Sequence, residues 1–207
     1  MSSEPTVFVV DDDPALRTSL KRLLQSESWA VETFADAEGF LNGYAPEMPG
    51  VLLLDIKMPG MDGMQLQQHL KQSGVTIPII MITGHGTVSM SVRAMKDGAV
   101  DFVEKPFRAQ VLLDRITQAM DLDNQNRRDA SEQQRIETLF GRLTPREAEV
   151  MKLVVAGKTS KQIADKLDIS DKTVALHRAH FMSKLDVSRV ADVVRMAMVL
   201  WGTDQPE

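Results

Sequence analysis

Four kinds of polar side chain follow short apolar runs in the first half of this 207-residue chain, and together they could carry out phosphoryl chemistry. The residues are Asp11 and Asp12, Asp55, Thr83 and Lys105. Carboxylates gathered at one edge repel one another, and a divalent cation that prefers oxygen ligands, such as Mg2+, relieves that repulsion. Asp55 could then attack a phosphoryl group, with Lys105 neutralising the phosphoryl oxygens and Thr83 donating a hydroxyl hydrogen bond. Helix capping is the alternative explanation for any one residue, but it does not explain the whole set.

The elements that must position these side chains are short strands buried on both faces. Apolar runs occupy residues 7–10, 51–54, 77–82 and 99–103, with a weaker run at 30–34. Helix-like stretches alternate with them near residues 14–26, 37–41, 63–72, 88–96 and 108–121. This alternation predicts a parallel sheet with helices on both faces. Because ligands of such sheets bind beyond the carboxyl ends of the strands, the polar residues should converge on one rim.

Four segments of this half carry a family resemblance. They are Val-Val-Asp-Asp-Asp-Pro at 9–14, Leu-Leu-Leu-Asp-Ile-Lys-Met-Pro-Gly-Met-Asp-Gly at 52–63, Ile-Ile-Met-Ile-Thr-Gly-His-Gly at 79–86 and Gly-Ala-Val-Asp-Phe-Val-Glu-Lys-Pro-Phe at 98–107. On these segments, residues 1–122 resemble the receiver domains of bacterial two-component response regulators. The resemblance implies an α/β flavodoxin-like (βα)5 fold, phosphorylation of Asp55 and a cis peptide bond between Lys105 and Pro106.

The resemblance also implies the ligands of the site. The groups that would hold Mg2+ (or Mn2+) are the carboxylates of Asp11, Asp12 and Asp55 and the backbone carbonyl of Lys57. Lys105 and Thr83 would bind the phosphoryl group. Asp13 is a third acid where the family needs two, and we interpret it as a loop or capping residue.

Two positions near the acceptor could tune the lifetime of the acyl phosphate. Lys57 lies two residues after Asp55, and His85 lies two residues after Thr83. Their side chains should flank the phosphoryl group and influence attack by water. The alternative is that both side chains point to solvent.

The resemblance further implies a switch. A phosphoryl group adds about −2 charge and strong acceptors, and Thr83 would move to bind it. Phe102, the paired aromatic residue on the fifth strand, would then turn inward, unless it always belongs to the core. The reshaped face would span residues 87–103 and include Met90, Val92, Arg93, Met95 and Lys96. We expect this face to form a phosphorylation-dependent dimer contact or, alternatively, to dock on the other domain and hold it idle.

Charge divides the chain into two parts. Residues 1–124 contain 10 Lys and Arg and 17 Asp and Glu, whereas residues 125–207 contain 14 and 12, so net charges of −7 and +2 make up the total of −5. An acidic first part and a mildly basic second part indicate domains with different partners. Between the domains, residues 123–140 form a polar linker without glycine or proline. This linker is predicted to be helical, to continue the preceding helix and to build no core from its polar part.

The second domain, residues 141–207, has the pattern of an all-α domain of four helices. Thr144, Pro145 and Glu147 form a helix start, with a threonine cap, proline in the first position and glutamate three residues after the cap. Gly157 ends this helix. The later helices are expected to begin at Thr159 or Ser160, at Ser170 and Asp171, and at Ser188, the last running to about Trp201.

Several strings in this part carry a second resemblance. They are Leu-Thr-Pro-Arg-Glu-Ala-Glu-Val-Met at 143–151, Gly-Lys-Thr-Ser-Lys-Gln-Ile-Ala-Asp-Lys-Leu at 157–167 and Ile-Ser-Asp-Lys-Thr-Val at 169–174, followed by His177 and by Lys184-Leu185. They resemble the helix-turn-helix DNA-binding domains of the LuxR and NarL type. Together with a receiver, the arrangement most resembles the FixJ subfamily.

The third of these helices is the expected recognition helix. At about 100° per residue, Val174, Phe181 and Leu185 form one buried stripe. The residues that face outward toward the major groove are Lys172, Ala175, Leu176, Ala179 and Ser183. The residues expected near phosphates are Thr173, His177, Arg178, His180 and Lys184, with Lys161 on the preceding helix.

Two features of this helix qualify the expectation. Packing is the alternative role for His177. Ala175, Leu176 and Ala179 cannot hydrogen-bond to base edges, so sequence readout should depend on thymine methyl groups, on Lys172 and on DNA shape.

The fourth helix repeats Val190, Val194, Met198 and Trp201. One apolar stripe should face its own core and a remaining stripe should form the DNA-bound dimer, but the pattern does not assign them. Dimerisation would require two half-sites in dyad symmetry.

Composition excludes several classes of protein. The chain has no cysteine, so disulfides and Cys-based metal sites are excluded. No apolar run approaches the ~20 residues that span a bilayer, and residues 1–5 show no secretion signal. We therefore expect a cytoplasmic protein that has no membrane partner.

These observations predict a phosphorylation-switched transcription factor. The expected partners are a sensor histidine kinase as phosphoryl donor, because the chain has no ATP-binding motif, double-stranded DNA, RNA polymerase, and a second copy of the phosphorylated chain. A regulator switched by a ligand or partner without phosphorylation is the alternative, and the complete set of acidic-pocket residues argues against it. An enzyme that acts on outside substrates is a third class, but the residues after 122 offer no catalytic set.

Overall fold

The computed structural model describes residues 4–84 and 88–202, and for Val88 the backbone alone. His85, one of the two residues predicted to tune the acyl phosphate, lies outside the described residues. The chain divides into two compact units, Met1–Arg127 and Arg128–Glu207.

The first unit contains a five-stranded parallel sheet. Its strands are β1 Thr6–Val10, β2 Ala30–Phe34, β3 Gly50–Asp55, β4 Ile79–Thr83 and β5 Asp101–Glu104. They pair in the order β2-β1-β3-β4-β5, which is the flavodoxin-like order, so the predicted α/β fold is confirmed. Val10 is in register with Leu54, and Leu54 with Met81. The carboxyl ends of the central strands are therefore nearly level.

Within the described ranges, five helices accompany the sheet and four more follow. They are α1 Pro14–Ser26, α2 Ala37–Gly43, α3 Gly63–Gln72, α4 Val88–Lys96, α5 Ala109–Phe140, α6 Pro145–Val155, α7 Ser160–Leu167, α8 Asp171–Lys184 and α9 Val190–Trp201. Helix α5 is a single helix of 32 residues that begins one residue later than the segment expected at 108–121 and runs on to Phe140.

Two apolar layers enclose the sheet, one on each face. Leu52 and Leu54 belong to one layer, whereas Val51 and Leu53 belong to the other. This alternation follows from the period of two in a strand. All six residues of β3 are buried, because helices cover both faces, and this explains why the strand is one continuous apolar run.

Capping interactions define the helices of the second unit. Thr144 caps α6 in a reciprocal capping box with Glu147, and Pro145 takes the first helical position, as the sequence predicted. Thr159, rather than Ser160, caps α7. Ser170 caps α8.

The core of this unit contains the predicted stripe of the recognition helix. Val174, Phe181 and Leu185 are all buried and pack with residues from α6, α7 and α9. The predicted all-α domain is confirmed.

The fourth helix of this unit, α9, corrects the expected start and answers a question that the sequence left open. It begins at Val190 with Arg189 at the cap position, not at Ser188, and no side chain caps it. The repeat at 190, 194, 198 and 201 is not a single buried stripe, because Val190 and Trp201 pack against the core while Met198 is exposed. Val193, Met196 and Ala197 face the core, and Met198 is 54% exposed. The difference arises because α9 is apolar nearly all round, so its periodicity contains two candidate stripes.

The segment predicted as a linker, residues 123–140, has a buried residue in each unit. Asp123 is only 3% exposed and lies in the first unit, which ends at Arg127. Ile136 is 1% exposed and belongs to the core of the second unit. None of the residues 121–134 belongs to an apolar core cluster, and Asp123 is buried as a charged side chain that is paired.

Candidate functional site

Lys105 joins two carboxylates at the carboxyl rim of the sheet. Its Nζ donates to Asp11 Oδ2 at 2.7 Å and to Asp55 Oδ1 at 2.8 Å. Asp11 follows β1, Asp55 ends β3 and Lys105 follows β5. The structure thus brings together residues that are 50 and 94 positions apart in the chain, because parallel strands end on the same rim.

Backbone groups fix the orientation of both carboxylates. The Lys57 backbone N–H donates to Asp55 Oδ2 at 2.8 Å, and the Asp13 N–H donates to Asp11 Oδ1 at 2.9 Å. A Cβ added at Gly63 would lie 2.2 Å from the Asp55 carbonyl oxygen, so only glycine allows α3 to start so close to this strand end. The Asp13 side chain caps α1, in agreement with the capping role expected for it.

Burial dominates the electrostatics of the acceptor. Burial raises the pKa of Asp55 above its usual value, while the hydrogen bond and charge of Lys105 oppose this effect only in part and the charge of Asp11 adds to it. Burial works to lower the pKa of Lys105, but the hydrogen bonds that its ammonium donates to Asp11 and Asp55 outweigh this effect, and the pKa is raised. Two negative carboxylates therefore share one firmly protonated ammonium.

The outer face of α8 forms the second candidate site. Lys172, Ala175, Leu176 and Ala179 are all exposed, and the large apolar side chain of Leu176 is 54% exposed. The flanking residues Thr173, His177 and Arg178 are half-buried, His180 is exposed, and Lys161 on α7 is exposed. A helix that presents such a face, with basic side chains at its edges, has the geometry for insertion into the major groove of DNA.

Models of two protein families match the two parts of the chain. The response regulator receiver domain matches residues 7–117, and the luxR family of bacterial regulatory proteins matches residues 142–197. Nodulation protein W of Bradyrhizobium diazoefficiens is 42% identical over 199 residues, which are 96% of this chain and 88% of that protein. Transcriptional regulatory protein FixJ of Rhizobium meliloti is 42% identical over 93% of this chain and 95% of its own length. The structure of response regulator StyR has a TM-score of 0.85 and 46% identity over 94% of this chain and 98% of that chain.

The chain belongs to the response regulators with a LuxR-type DNA-binding domain. Its relatives include transcriptional regulators of the FixJ type, and the family is one of transcription regulators.

Thr83 and Phe102 of this response regulator lie where a switch pair could act. Thr83 ends β4, is 1% exposed, and accepts a hydrogen bond at its carbonyl from the Lys105 N–H at 2.7 Å. Phe102 on β5 is half-buried and packs against the layer that contains Leu54 and Met81. The peptide bond between Lys105 and Pro106 is cis, as expected.

The acidic pocket has the donor chemistry for a divalent cation. Asp11 and Asp55 are buried carboxylates on one rim, and the exposed Asp12 is adjacent in the chain. Within residues 4–84 and 88–202, no group of three His, Cys, Asp or Glu side chains is drawn together as a metal cluster. Lys105 instead supplies the counter-charge to the two buried carboxylates. Hard oxygen donors of this kind suit Mg2+, so the residues fit the ion that receiver domains generally bind.

The remaining predicted residues are Lys57, which follows Asp55 in the chain, and the residues of α4. The Lys57 side chain is exposed and lines a groove of about 750 Å³ together with Met58, Met64, Met90 and Arg93. On α4, Val92 and Met95 are each 47% exposed. This helix therefore presents apolar side chains, as expected for an interaction face. None of the helices in the described ranges is long and apolar enough to cross a membrane.

Lys184 has a partner inside its own domain that the sequence did not indicate. Its Nζ donates to Glu147 Oε2 at 2.6 Å, and the Thr144 N–H donates to the same oxygen at 2.8 Å. The Lys184 hydrogen bond, followed by that from Thr144, lowers the pKa of Glu147 to about 2. Lys184 thus binds a buried carboxylate of its own domain, and its contact with a DNA phosphate stays a prediction.

The recognition helix has two further polar contacts. Arg178 Nη1 lies 3.4 Å from Ser160 Oγ, which links α8 to the start of α7. His177 Nδ1 is buried without a hydrogen-bond partner among the described residues, which favours the packing role over the phosphate contact for this nitrogen.

Sequence reasoning did not find the pair of Glu147 with Lys184, nor that of Asp123 with Arg127. Glu147 was interpreted only as a capping residue, although a buried glutamate near a lysine in the final domain could have been anticipated from the need to pair a buried charge. Asp123 and Arg127 have the i,i+4 spacing of a helix pair, which was the available signal.

Proposed function

We propose that this response regulator accepts a phosphoryl group on Asp55 from a phosphohistidine of a sensor histidine kinase. The observation that supports the proposal most is the sharing of the Lys105 ammonium by Asp11 and Asp55 at the carboxyl rim. An ion pair with two acids for one base retains a net negative charge. Such a site can exchange its partners when a phosphoryl group or a cation enters.

The chemistry follows from the state of these side chains. An Asp55 carboxylate oxygen forms a bond to phosphorus while the bond from phosphorus to the kinase imidazole nitrogen breaks, and the imidazole retains the electron pair. Lys105 neutralises charge on the phosphoryl oxygens, and the Thr83 hydroxyl donates to one of them. The raised pKa of Asp55 makes its carboxylate more nucleophilic than an ordinary one.

Asp11, Asp12 and Asp55, with the Lys57 carbonyl, would hold Mg2+ or Mn2+. The ion, when bound, supplies charge neutralisation for the phosphoryl oxygens. The chain modifies only its own aspartate in this reaction, so we do not propose an enzyme that acts on outside substrates.

In the second unit, we propose that α8 reads duplex DNA. Residues assigned to the interface are Lys161, Lys172, Thr173, Ala175, Leu176, His177, Arg178, Ala179 and His180. Lys172 and Leu176 would approach base edges, while Arg178 and Lys161 would approach phosphates. The exposed Met198 and Val199 on α9 support a dimer on DNA with dyad-related half-sites. We also propose that the protein acts in the cytoplasm together with RNA polymerase.

Two measurements test the proposal in sequence. The full chain is incubated with acetyl phosphate and Mg2+, and its intact mass is recorded. We expect the mass of one phosphoryl group on the wild type and none on Asp55→Asn. Asp13→Asn is the matched control, because asparagine also caps helices and Asp13 is exposed. Equal phosphorylation of Asp55→Asn would contradict the assignment.

The second measurement tests the output. Random duplexes are selected on the phosphorylated chain, and the affinity of the selected duplex is measured with and without acetyl phosphate. We expect a tighter complex and a dyad-symmetric footprint after phosphorylation. Affinity that is unaffected by phosphorylation would favour the alternative regulator that is switched by a ligand or partner.

A further inference from the structure

Arg127 and Asp123 form an ion pair that neither proposed site uses. Arg127 Nε donates to Asp123 Oδ2 at 2.7 Å. Its terminal nitrogens donate to three successive backbone carbonyls, those of residues 46–48, at 3.1, 3.3 and 2.6 Å. Asp123 Oδ2 also accepts a hydrogen bond from the Gly50 backbone N–H at 2.9 Å. We call Asp123, Arg127 and the segment 46–50 the α5 clamp.

Burial separates this pair from an ordinary helix-surface ion pair. The Asp123 side chain is 4% exposed and that of Arg127 is 31% exposed. An exposed i,i+4 pair contributes little. A buried carboxylate, by contrast, requires its partner, because removal of that partner leaves an uncompensated buried charge.

The segment held by Arg127 is itself anchored in the core of the first unit. Tyr44, just before it, stacks on Phe40 with 5.0 Å between ring centroids and meets Phe8 edge-on at 5.2 Å. Phe8 lies on β1 and Phe40 on α2. The guanidinium group of Arg127 therefore bonds to a fixed part of the receiver.

The clamp also touches the strand that carries the phosphoacceptor. Gly50 is the first residue of β3 and Asp55 is the last. A Cβ added at Gly50 would lie 1.9 Å from the Thr6 carbonyl oxygen, so glycine is required for the close approach to β1. One buried strand of six residues thus has the phosphoacceptor at one end and the clamp at the other.

Beyond Arg127, α5 runs through a stretch with little tertiary support. Residues 128–135 are all exposed, whereas Ile136 is buried again. Short helical segments in water are marginal, because nucleation is costly and propagation needs an ordered preceding turn. The turn between Asp123 and Arg127 is the last ordered turn held by the receiver, and helix can propagate from it through residues 128–135.

We infer that Asp123 and Arg127 are positioning residues that keep the exposed part of α5 helical and connect it to β3, so that phosphorylation of Asp55 affects DNA binding by the second unit. This inference rests on the proposed function. Neither residue touches the phosphoryl group, and neither is expected to affect its transfer.

The test uses the full chain with Arg127→Gln, which removes the charge and two of the donors. Arg128→Gln is the matched control, because Arg128 is the neighbouring exposed arginine of the same helix. Asp123→Asn is a second variant that keeps an acceptor for the Gly50 N–H and loses the ion pair. Each chain is assayed for phosphorylation by acetyl phosphate, for DNA affinity with and without phosphorylation, and for hydrogen exchange of residues 124–140.

In Arg127→Gln we expect unchanged phosphorylation, exchange in residues 124–135 that is faster by about tenfold, and a phosphorylation-dependent gain in affinity that is reduced by about tenfold. Asp123→Asn should show smaller changes of the same kind in exchange and in the gain in affinity. Arg128→Gln should behave as the wild type. A merely structural role would change exchange but would leave the gain in affinity intact, which overturns the inference.

Failure of the inference differs from failure of the proposed function. If the wild type takes up no phosphoryl group or gains no affinity, the proposed function fails, and unchanged exchange in Arg127→Gln would then overturn the clamp as well. If the wild type gains affinity and Arg127→Gln gains equally, the clamp alone is rejected. If Arg127→Gln does not fold, Arg127→Lys, which retains one charged donor group, takes its place in the same comparison.

Discussion

Both units contain a lysine that binds a buried carboxylate, but the ammonium group is shared by two carboxylates in the first unit and binds one carboxylate in the second. In the first unit, Asp55 shares Lys105 with Asp11, and its pKa is raised, chiefly by burial. In the second unit, Glu147 has Lys184 to itself together with the Thr144 N–H, and its pKa falls to about 2. Both carboxylates accept two hydrogen bonds, but burial is the largest influence on the pKa of Asp55, whereas the hydrogen bond from Lys184 is the largest influence on the pKa of Glu147.

The comparison shows how one kind of contact can serve chemistry or structure. A carboxylate that shares its only ammonium remains reactive and costs stability, which is the usual arrangement of a functional site. A carboxylate whose lysine partner is not shared stabilises the fold and holds two helices in place. Here Glu147 and Lys184 join the start of α6 to the last turn of α8.

The largest expected difference comes from the two lysines. Lys105→Met should slow phosphorylation of Asp55 by acetyl phosphate on the order of 100-fold, since an electrostatic stabiliser of the transferring group is lost. Lys184→Met should leave the same rate unchanged and lower the stability of the second unit. Intact-mass time courses of both variants check this prediction. Equal rates in Lys105→Met and the wild type would show that the two lysines do not differ in function.

Next in size is the contribution of Glu147 to stability. Glu147→Gln should lower the free energy of unfolding of the second unit by about 2 kcal/mol at neutral pH, a value reduced for the partial exposure of Lys184. Because the folded pKa is depressed from 4.5 to about 2, this contribution is fully present above about pH 4.5 and is lost as pH falls toward about 2.

Urea denaturation of the wild type and of Glu147→Gln at neutral pH and near pH 2.5 measures this contribution. Glu149→Gln, on the exposed face of α6, is the matched control and should change little. A stability difference that persists unchanged in acid would contradict the role given to ionised Glu147.

A smaller effect of opposite sign is expected at the acceptor. For a carboxyl whose folded pKa is raised, stability falls as pH rises from the unfolded pKa through the folded pKa. Asp55→Asn should therefore stabilise the first unit by about 1 kcal/mol at neutral pH. Thermal unfolding of the wild type and of Asp55→Asn, with Asp13→Asn as the control, measures whether the substitution raises or lowers stability. A destabilised Asp55→Asn would mean that the bond to Lys105 outweighs the cost of burying the charge.

The smallest effect concerns the coupling between the two acids. Asp11→Asn should lower the pKa of Asp55, because it removes a negative neighbour and leaves Lys105 to Asp55 alone. Carboxyl-carbon NMR titration of the metal-free chain measures the shift. Asp12→Asn, a change at an exposed acid, should affect this pKa less. A rise in the Asp55 pKa on loss of Asp11 would contradict the shared-ammonium description.

The features that depend on local spacing and on the order of strands and helices could be predicted from the sequence. The capping box of Thr144 and Glu147 spans three residues, and the buried stripe of α8 follows from helical periodicity. The meeting of the polar residues at the rim of the sheet could also be predicted from the sequence, although these residues are up to 94 positions apart. The alternation of strands and helices predicts a parallel sheet, and such a sheet brings all strand ends to one edge.

Only the tertiary structure decided which charges pair across elements. Asp123 bonds to a backbone group 73 positions away, and Lys184 bonds to a carboxylate 37 positions away. No periodicity relates those positions, because they belong to elements whose packing is set by the apolar cores. For the same reason the inner stripe of α9 was not assigned, since several faces of that helix are apolar enough to be buried.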